Sequence, residues 1–318
     1  MTKIAVVGAT GLVGGVFLKE ITRLKLSYDE LRLFASANSQ GKQVLVGHKK
    51  HTVQTLSKYA FEGVDIAFFC AGSQVSSSFV KCALDSGARV IDNSSFFRQK
   101  KDVPLVAYEV NFNDAKESRL IANPNCSTLA IIPLLNALKP LGLKAVECVS
   151  FQSVSGCGRR GLMALINPSL SKEIFLGDIS QNCIPCICEF CDDGYTTEER
   201  KMQQETQKIL HLPNLKVSAT CVRVPVEYCH AISISVELDS QCDLKGVYEL
   251  IGRQSGIIAT KGDIALGQQV KGKEYSLVCR IRQSSLSKNH LNCFVVADNL
   301  YKGASSNAVL IAKRLLDE

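Results

Sequence analysis

The apolar positions divide the chain into two differently patterned parts. In the first, short and nearly continuous apolar runs recur at 3–7, 31–35, 64–70, 89–91 and 120–122. Runs of that kind predict strands covered on both faces, as in a parallel sheet. A helical stripe of Val16, Phe17, Ile21 and Leu24 follows the first run, and a helix is expected after the third, so β and α units alternate. Behind the fifth run stands a longer helical pattern, Leu129, Ile132, Leu135 and Leu138, in which Pro133 predicts a kink. From about residue 143 the period shortens to two, and 145–154, 217–226, 231–238 and 294–297 read as strands. Pro225 argues for an edge or a bend, and the short chain from Arg223 to His230 would bring both to one end of a strand pair. Residues 197–210 read as a helix capped by Thr196 or Thr197, with Glu198 and Glu199 in its first turn, whereas 168–195 reads as irregular. The stripe Ala308, Ile311, Ala312 and Leu315 predicts a terminal helix that packs on the first domain.

A chain of 318 residues with 46% hydrophobic residues suits two globular domains. No apolar run approaches a bilayer span, and Met1-Thr2-Lys3-Ile4 enters a strand without a signal-peptide pattern; a cytoplasmic protein without a membrane partner is expected. The net charge of +7 suits small anionic ligands, yet Lys and Arg are scattered and form no basic stripe, which argues against nucleic acid. The 14 cysteines, in a long chain without an export signal, read as reduced thiols. Cys183, Cys186, Cys188 and Cys191 have the spacing C-x2-C-x-C-x2-C. Four thiolates suffice for a zinc tetrahedron, but the two pairs are almost fused, and no metal is expected.

The chemistry lies at the junctions. The first strand runs into Gly8, Thr10, Gly11, Leu12, Val13 and Gly14, a glycine-rich turn opening a helix, where backbone can approach a pyrophosphate and N–H groups attract it. The second strand ends without the Asp or Glu that takes a ribose 2′-OH; Ser36, Ser39 and Lys42 stand there instead and suit a 2′-phosphate, so NADP is expected. Arg98 follows another strand end and offers a planar fork for phosphate or carboxylate. Cys126 begins the long apolar helix, where unsatisfied N–H groups and the macrodipole favour a thiolate, and the Asn125 amide beside it suits an oxyanion. A second glycine-rich turn runs from Gln152 to Gly161. Glu198 and Lys201, three apart, share one helix face, and His230 opens a strand.

Together these segments resemble the aspartate-semialdehyde dehydrogenases over essentially the whole chain: GATGLVG (8–14), DNSSFFR (92–98), NPNCST (123–128), FQSVSGCGRRG (151–161), EERKM (198–202), RVPVEYCH (223–230) and DNLYKGA (298–304). The resemblance implies an α/β protein with a Rossmann-type dinucleotide-binding domain, 1–127 completed by 299–318, and an inserted α/β catalytic and dimerisation domain, 128–298. It implies NADPH-dependent reduction of aspartyl 4-phosphate to aspartate 4-semialdehyde and phosphate, by a homodimer or homotetramer. Cys126 matches the nucleophile, His230 an acid/base that takes the thiol proton, and Gln152 the residue orienting the acyl group. Arg223 matches the α-carboxylate clamp, Glu198 the amino-group contact, and Arg98, Asn125 and Lys201 the phosphate pocket. Thr10, Gly11, Leu12, Val13, Ser155, Gly156 and Asn299 match cofactor contacts. Asn38 stands where members often have arginine, and the cysteine cluster has no counterpart. N-acetyl-γ-glutamyl-phosphate reductase shares fold and thioester chemistry but usually sets its cysteine in a proline-glycine-cysteine context, unlike Pro124-Asn125-Cys126. A catalytically silent dinucleotide-binding protein would show decay at the matched positions, and all are filled.

Overall fold

The computed structural model describes residues 1–241, 243–260 and 264–318. Along the chain run β1 (Lys3–Val7), α1 (Leu12–Arg23), β2 (Glu30–Ala35), β3 (Gln43–Val46), β4 (Lys49–Thr55), β5 (Ile66–Phe69), α2 (Ser73–Asp85), β6 (Arg89–Asp92), α3 (Tyr108–Asn111) and β7 (Leu120–Ala122). There follow α4 (Cys126–Leu138), β8 (Leu143–Gln152), α5 (Gly158–Ala164), α6 (Pro168–Phe175), α7 (Thr197–Leu210), β9 (Lys216–Arg223), β10 (His230–Leu238), α8 (Leu244–Arg253), β11 (Ile257–Ala259), α9 (Gly267–Val270), β12 (Ser276–Gln283), β13 (His290–Ala297) and α10 (Ser306–Asp317). They form two compact units, 1–124 with 304–318, and 125–303. Asn125, Cys126, Ser127 and residues 299–303, expected with the first domain, therefore belong to the second unit.

In the first unit seven strands lie in the order β3-β4-β2-β1-β5-β6-β7, all parallel except β3. Central β1 can be apolar throughout because both its faces are covered. Ile4 and Val6 pack with Phe17, Ile21, Phe68 and the α10 residues Ala308 and Ile311, while Ala5 and Val7 pack with Phe34, Phe61, Phe69 and Val80. Helix α10 is tied to α1 by a hydrogen bond of 2.6 Å from Ser306 Oγ to the buried Glu20 Oε2. Strand order reverses at β1, with β2 on one side and β5 on the other, so the carboxyl ends of β1 and β5 form the crevice where such sheets bind ligands. The β3–β4 hairpin escaped the sequence reading because it is a mostly exposed edge with little apolar alternation.

The second unit is built on a mixed six-stranded sheet, β11-β12-β13-β10-β8-β9. Helices α4, α7 and α8 contact one another or its strands. Nearly every residue of α4 is buried, and the helix continues through Pro133. On one side of the sheet Val149, Phe151, Ser233 and Phe294 remain half-buried or exposed, beside buried Leu277, Cys279 and Val296, while Val146, Cys148, Ile232 and Ile234 on the other side are buried. Two expectations are corrected. Strands β9 and β10 are not partners, because β8 lies between them, parallel to β9 and antiparallel to β10. Residues 168–175, expected to be irregular, form α6, begun by Pro168 in its first turn and capped by Asn167, whose side chain accepts the Leu170 N–H.

Candidate active site

Four elements of the second unit converge on Cys126. The thiol occupies the first position of α4, whose cap, Asn125, accepts the Ser127 N–H at 2.8 Å through Oδ1. Asn125 Nδ2 donates to Glu198 Oε1 at 2.9 Å, so one hydrogen of the amide expected at an oxyanion is already committed. The Asn125 main-chain N–H donates to Oε2 of fully buried Glu205 at 2.6 Å. On the other side a Cβ at Gly303 would come within 2.7 Å of Cys126 Cβ, so backbone lies directly against the nucleophile.

Strand β8 explains the grouping of the remaining residues. Gln152 at its end is in register with Arg223 of β9, and Phe151 with Ala231 of β10, so Arg223 and His230 flank Gln152 from opposite sides. His230 is buried and its Nε2 lies 3.2 Å from Cys126 Sγ. Nδ1 lies 3.1 Å from the Ser153 main-chain nitrogen, which donates to it, and 3.2 Å from Ser153 Oγ. Burial, reinforced by the Arg223 charge and opposed by Glu198, lowers its pKa from 6.5 to about 3, so the ring is neutral. Arg223 is buried and donates through Nη1 to the Ser153 carbonyl at 2.7 Å, with Gly156 backbone close against the guanidinium.

Helix α7 supplies the acid. Its capping box, Thr196 with Glu199, sets the first turn, and Glu198 faces inward with Oε2 at 3.0 Å from Lys201 Nζ. Burial alone would raise the Glu198 carboxyl, but Lys201, the Asn125 amide and Arg223 together hold it below the usual carboxylate range. Gln152 Nε2 contacts Ser150 Oγ at 3.2 Å and Glu198 Oε1 at 3.4 Å. The result is a group of two cations, buried Arg223 and half-buried Lys201, and one buried anion, Glu198, beside a thiol and a neutral imidazole.

Asn299 is buried close by: its Oδ1 accepts from Ser153 Oγ, Ser155 Oγ and the Cys229 N–H, and its Nδ2 donates to Ser155 Oγ. Gly156 is exposed. Lys201 Nζ also stands 3.9 Å from Cys188 Sγ. Among the described residues no group of three or more His, Cys, Asp and Glu could hold a metal ion. The sequence reading missed Ser153, Glu205 and Gly303; only the first and last stood inside quoted motifs, and Glu205 lies seven residues past Glu198, two helical turns along the same face.

The other anticipated positions belong to the first unit. Gly8, at φ +84, directly follows β1, and a Cβ there would meet the Cys70 carbonyl oxygen at 2.6 Å. A Cβ at Gly14 would meet Gly8 O at 2.1 Å. Helix α1 begins after exposed Gly11 with no side chain capping it, so its first N–H groups, from Leu12 and Val13 onward, have no side-chain cap. Thr10 Oγ1 lies 3.1 Å from Ser39 Oγ, which ties the glycine turn to the loop after β2; Ser36 and Lys42 are exposed there. Side-chain-free backbone at an uncapped helix start fits a dinucleotide pyrophosphate. Arg98 is buried after β6, with Nη2 donating to Asn93 O at 2.7 Å.

Two family profiles match the chain, the semialdehyde dehydrogenase NAD binding domain over residues 3–118 and the semialdehyde dehydrogenase dimerisation domain over 131–302. Aspartate-semialdehyde dehydrogenase of Aquifex aeolicus is 40% identical, covering 99% of this chain and 98% of its own. The chain belongs to the aspartate-semialdehyde dehydrogenase family. The Bacillus subtilis member of the family is 39% identical over 98% of this chain and 96% of its own. Aspartate semialdehyde dehydrogenase II from Vibrio cholerae, solved in complex with ASA, superimposes with a TM-score of 0.95 at 37% identity, covering 100% of this chain and 99% of that one. The protein is thus an oxidoreductase of this family that uses a nicotinamide dinucleotide, with the α/β architecture the resemblance implied.

Proposed function

We propose that the protein reduces L-aspartyl 4-phosphate with NADPH to L-aspartate 4-semialdehyde and phosphate through a thioester on Cys126, as a step in lysine, threonine, methionine and diaminopimelate biosynthesis. The observation that carries this reading is the 3.2 Å approach of Cys126 Sγ and His230 Nε2 within a buried cluster that holds Arg223 and Glu198. A zwitterionic amino acid needs one cation and one anion, and the guanidinium fork of Arg223 suits its α-carboxylate while Glu198, kept ionised, suits its ammonium. Cys126 attacks the acyl carbon, Gln152 orients the acyl oxygen, and Lys201, Asn125 and Arg98 receive the phosphate. Gly8, Thr10, Gly11, Leu12, Val13, Ser155, Gly156 and Asn299 hold the dinucleotide. When bound, that cofactor supplies the hydride that converts the acyl group to the aldehyde. Ser36, Ser39 and Lys42, without an acidic side chain beside them, favour the 2′-phosphorylated form.

The Vibrio cholerae relative complexed with ASA supports the substrate class. A homodimer is supported by the match to the dimerisation domain and by the half-buried side of the second sheet around Val149, Phe151 and Phe294, which a second copy would cover. No disulfide forms among the described cysteines, and reduced thiols suit the cytoplasm.

The test is phosphate-dependent reduction of NADP, and separately NAD, by the purified protein supplied with aspartate semialdehyde. Turnover with NADP well above NAD is expected, and turnover only with the N-acetylglutamyl substrate would reassign the reaction. Cys126→Ala should lower turnover by more than about 10⁴-fold while dinucleotide binding stays within about twofold, because the nucleophile is removed and the nucleotide contacts are not.

A further inference from the structure

Asn125, the residue before Cys126, is held by helix α7 at both its side chain and its main chain. Its Nδ2 donates to Glu198 Oε1 at 2.9 Å, and its main-chain N–H donates to Glu205 Oε2 at 2.6 Å. The two carboxylates stand two helical turns apart along one face of α7, which packs against α4. Asn125 Oδ1 is committed in the other direction, accepting the Ser127 N–H at 2.8 Å as the cap of α4.

In a capping box the main-chain N–H of the cap residue finds its acceptor on the third residue of the same helix, as in α7, where the Thr196 N–H donates to Glu199 Oε2 at 2.7 Å. The corresponding residue of α4 is Thr128, which carries no carboxylate. Glu205 supplies that acceptor from a different helix. Packing alone does not call for it. A fully buried carboxylate is costly to desolvate, and an apolar side chain of similar volume would fill the same space without that cost. The Lys208 charge, one turn farther along α7, offsets part of the carboxylate charge but not the burial. What the carboxylate adds is a fixed direction for the main chain that leads into Cys126.

We propose that Glu205 is a positioning residue for the nucleophile: from the neighbouring helix it acts as the capping-box acid of α4 and keeps Cys126 in register with Glu198 and Lys201. This rests on the reading of Cys126 as the thioester-forming thiol and of Glu198 and Lys201 as substrate contacts. Because all three α7 residues belong to one rigid helix, a shift of α7 moves the substrate contacts and the start of α4 together. Without Glu205 the Asn125 N–H loses its acceptor, the main chain there turns, and Cys126 turns with it, while Glu198 and Lys201 keep their places. Substrate and dinucleotide then bind as before, and attack slows because the reacting atoms no longer meet.

The experiment compares the whole protein with Glu205→Gln, which keeps one acceptor oxygen, and Glu205→Met, which keeps the approximate volume and removes both oxygens. Kinetics are read where circular dichroism shows each variant folded, so that loss of folded protein does not enter kcat. Glu205→Met should lower kcat by about 10²-fold while KM for the amino-acid substrate and Kd for the dinucleotide stay within about threefold, and Glu205→Gln should keep kcat within about tenfold of wild type. A second readout needs neither substrate nor turnover. Labelling with ¹³C′-proline and ¹⁵N-asparagine selects the Pro-Asn pairs, which occur only at 124–125 and 213–214. The Asn125 amide proton should lie far downfield in the wild type, as suits a short bond to a carboxylate, move part-way upfield in Glu205→Gln and farthest in Glu205→Met, with Asn214 unmoved. An Asn125 amide of ordinary shift in the wild type, an unchanged shift in the variants, a wild-type kcat in folded Glu205→Met, or a loss confined to KM or dinucleotide affinity would overturn the assignment. Because the amide is read without substrate, failure of this assignment is distinguishable from failure of the proposed reaction, which appears as absent turnover in the wild type.

Discussion

At the residue scale the site depends on how closely backbone is fitted around Cys126. Gly303 is the sharpest case, since its missing Cβ would lie 2.7 Å from Cys126 Cβ and 3.0 Å from Cys126 Cα. Gly303→Ala must displace the nucleophile, and a shift of even part of an ångström in a reacting group is costly. We expect kcat to fall by about 10²-fold with little change in dinucleotide affinity, measured by steady-state kinetics and titration. His230 adds a pH signature to stability. Its folded pKa, about 3, lies below its ordinary value of 6.5, so the unfolded chain binds more protons between those limits. Its contribution to stability is therefore fully present above pH 6.5 and is lost as pH falls toward 3. The loss is about 1.4 kcal/mol per unit of pH at most. Melting curves across this window should show the decline, and His230→Asn should flatten it relative to the wild type; equal slopes would remove the effect from His230.

At the scale of elements, α7 and β8 do most of the assembly. The sequence announced α7 with its cap, its acidic first turn and the i, i+3 pair of Glu198 and Lys201, and all appear in the helix. What periodicity left open was the direction of the pair: an isolated Glu–Lys pair is ordinarily solvated, whereas this one lies inward because α7 packs against α4 and β9. The capping box holds that first turn, so Thr196→Ala should cost about 1 kcal/mol in chemical denaturation. The same substitution should raise KM for the amino-acid substrate more than KM for the dinucleotide, because Glu198 sits two residues from the cap; a uniform effect on both would leave only a stability role. Strand β8 was recognised as a strand, but its place between β9 and β10 was not, since pairing of strands far apart in sequence leaves no local pattern.

At the scale of the molecule, two units divide the duties. The glycine turn lies in the first and the thiol with its imidazole in the second. Gly14→Ala, whose Cβ would meet Gly8 O at 2.1 Å, should weaken dinucleotide binding by at least about tenfold, or 1.4 kcal/mol. Alkylation of Cys126 in the substrate-free protein should proceed at an unchanged rate. Coupled loss of both would show that distortion of the glycine turn reaches the nucleophile.

The chain alone determined the alternating apolar runs of the first sheet, the glycine turn, the helix starting at Cys126 and the capped α7, because each is written in residues close together in sequence. Seven short segments in order were enough to point to the family. Only the tertiary structure decided which backbone groups face the reactive side chains. The Ser153 amide on His230, the Glu205 carboxylate on Asn125 and the Gly303 backbone against Cys126 join residues 77, 80 and 177 positions apart. Hydrogen bonds to main chain and contacts with an absent side chain have no residue-type signature, so they become visible only when the sheet order and helix packing bring them together.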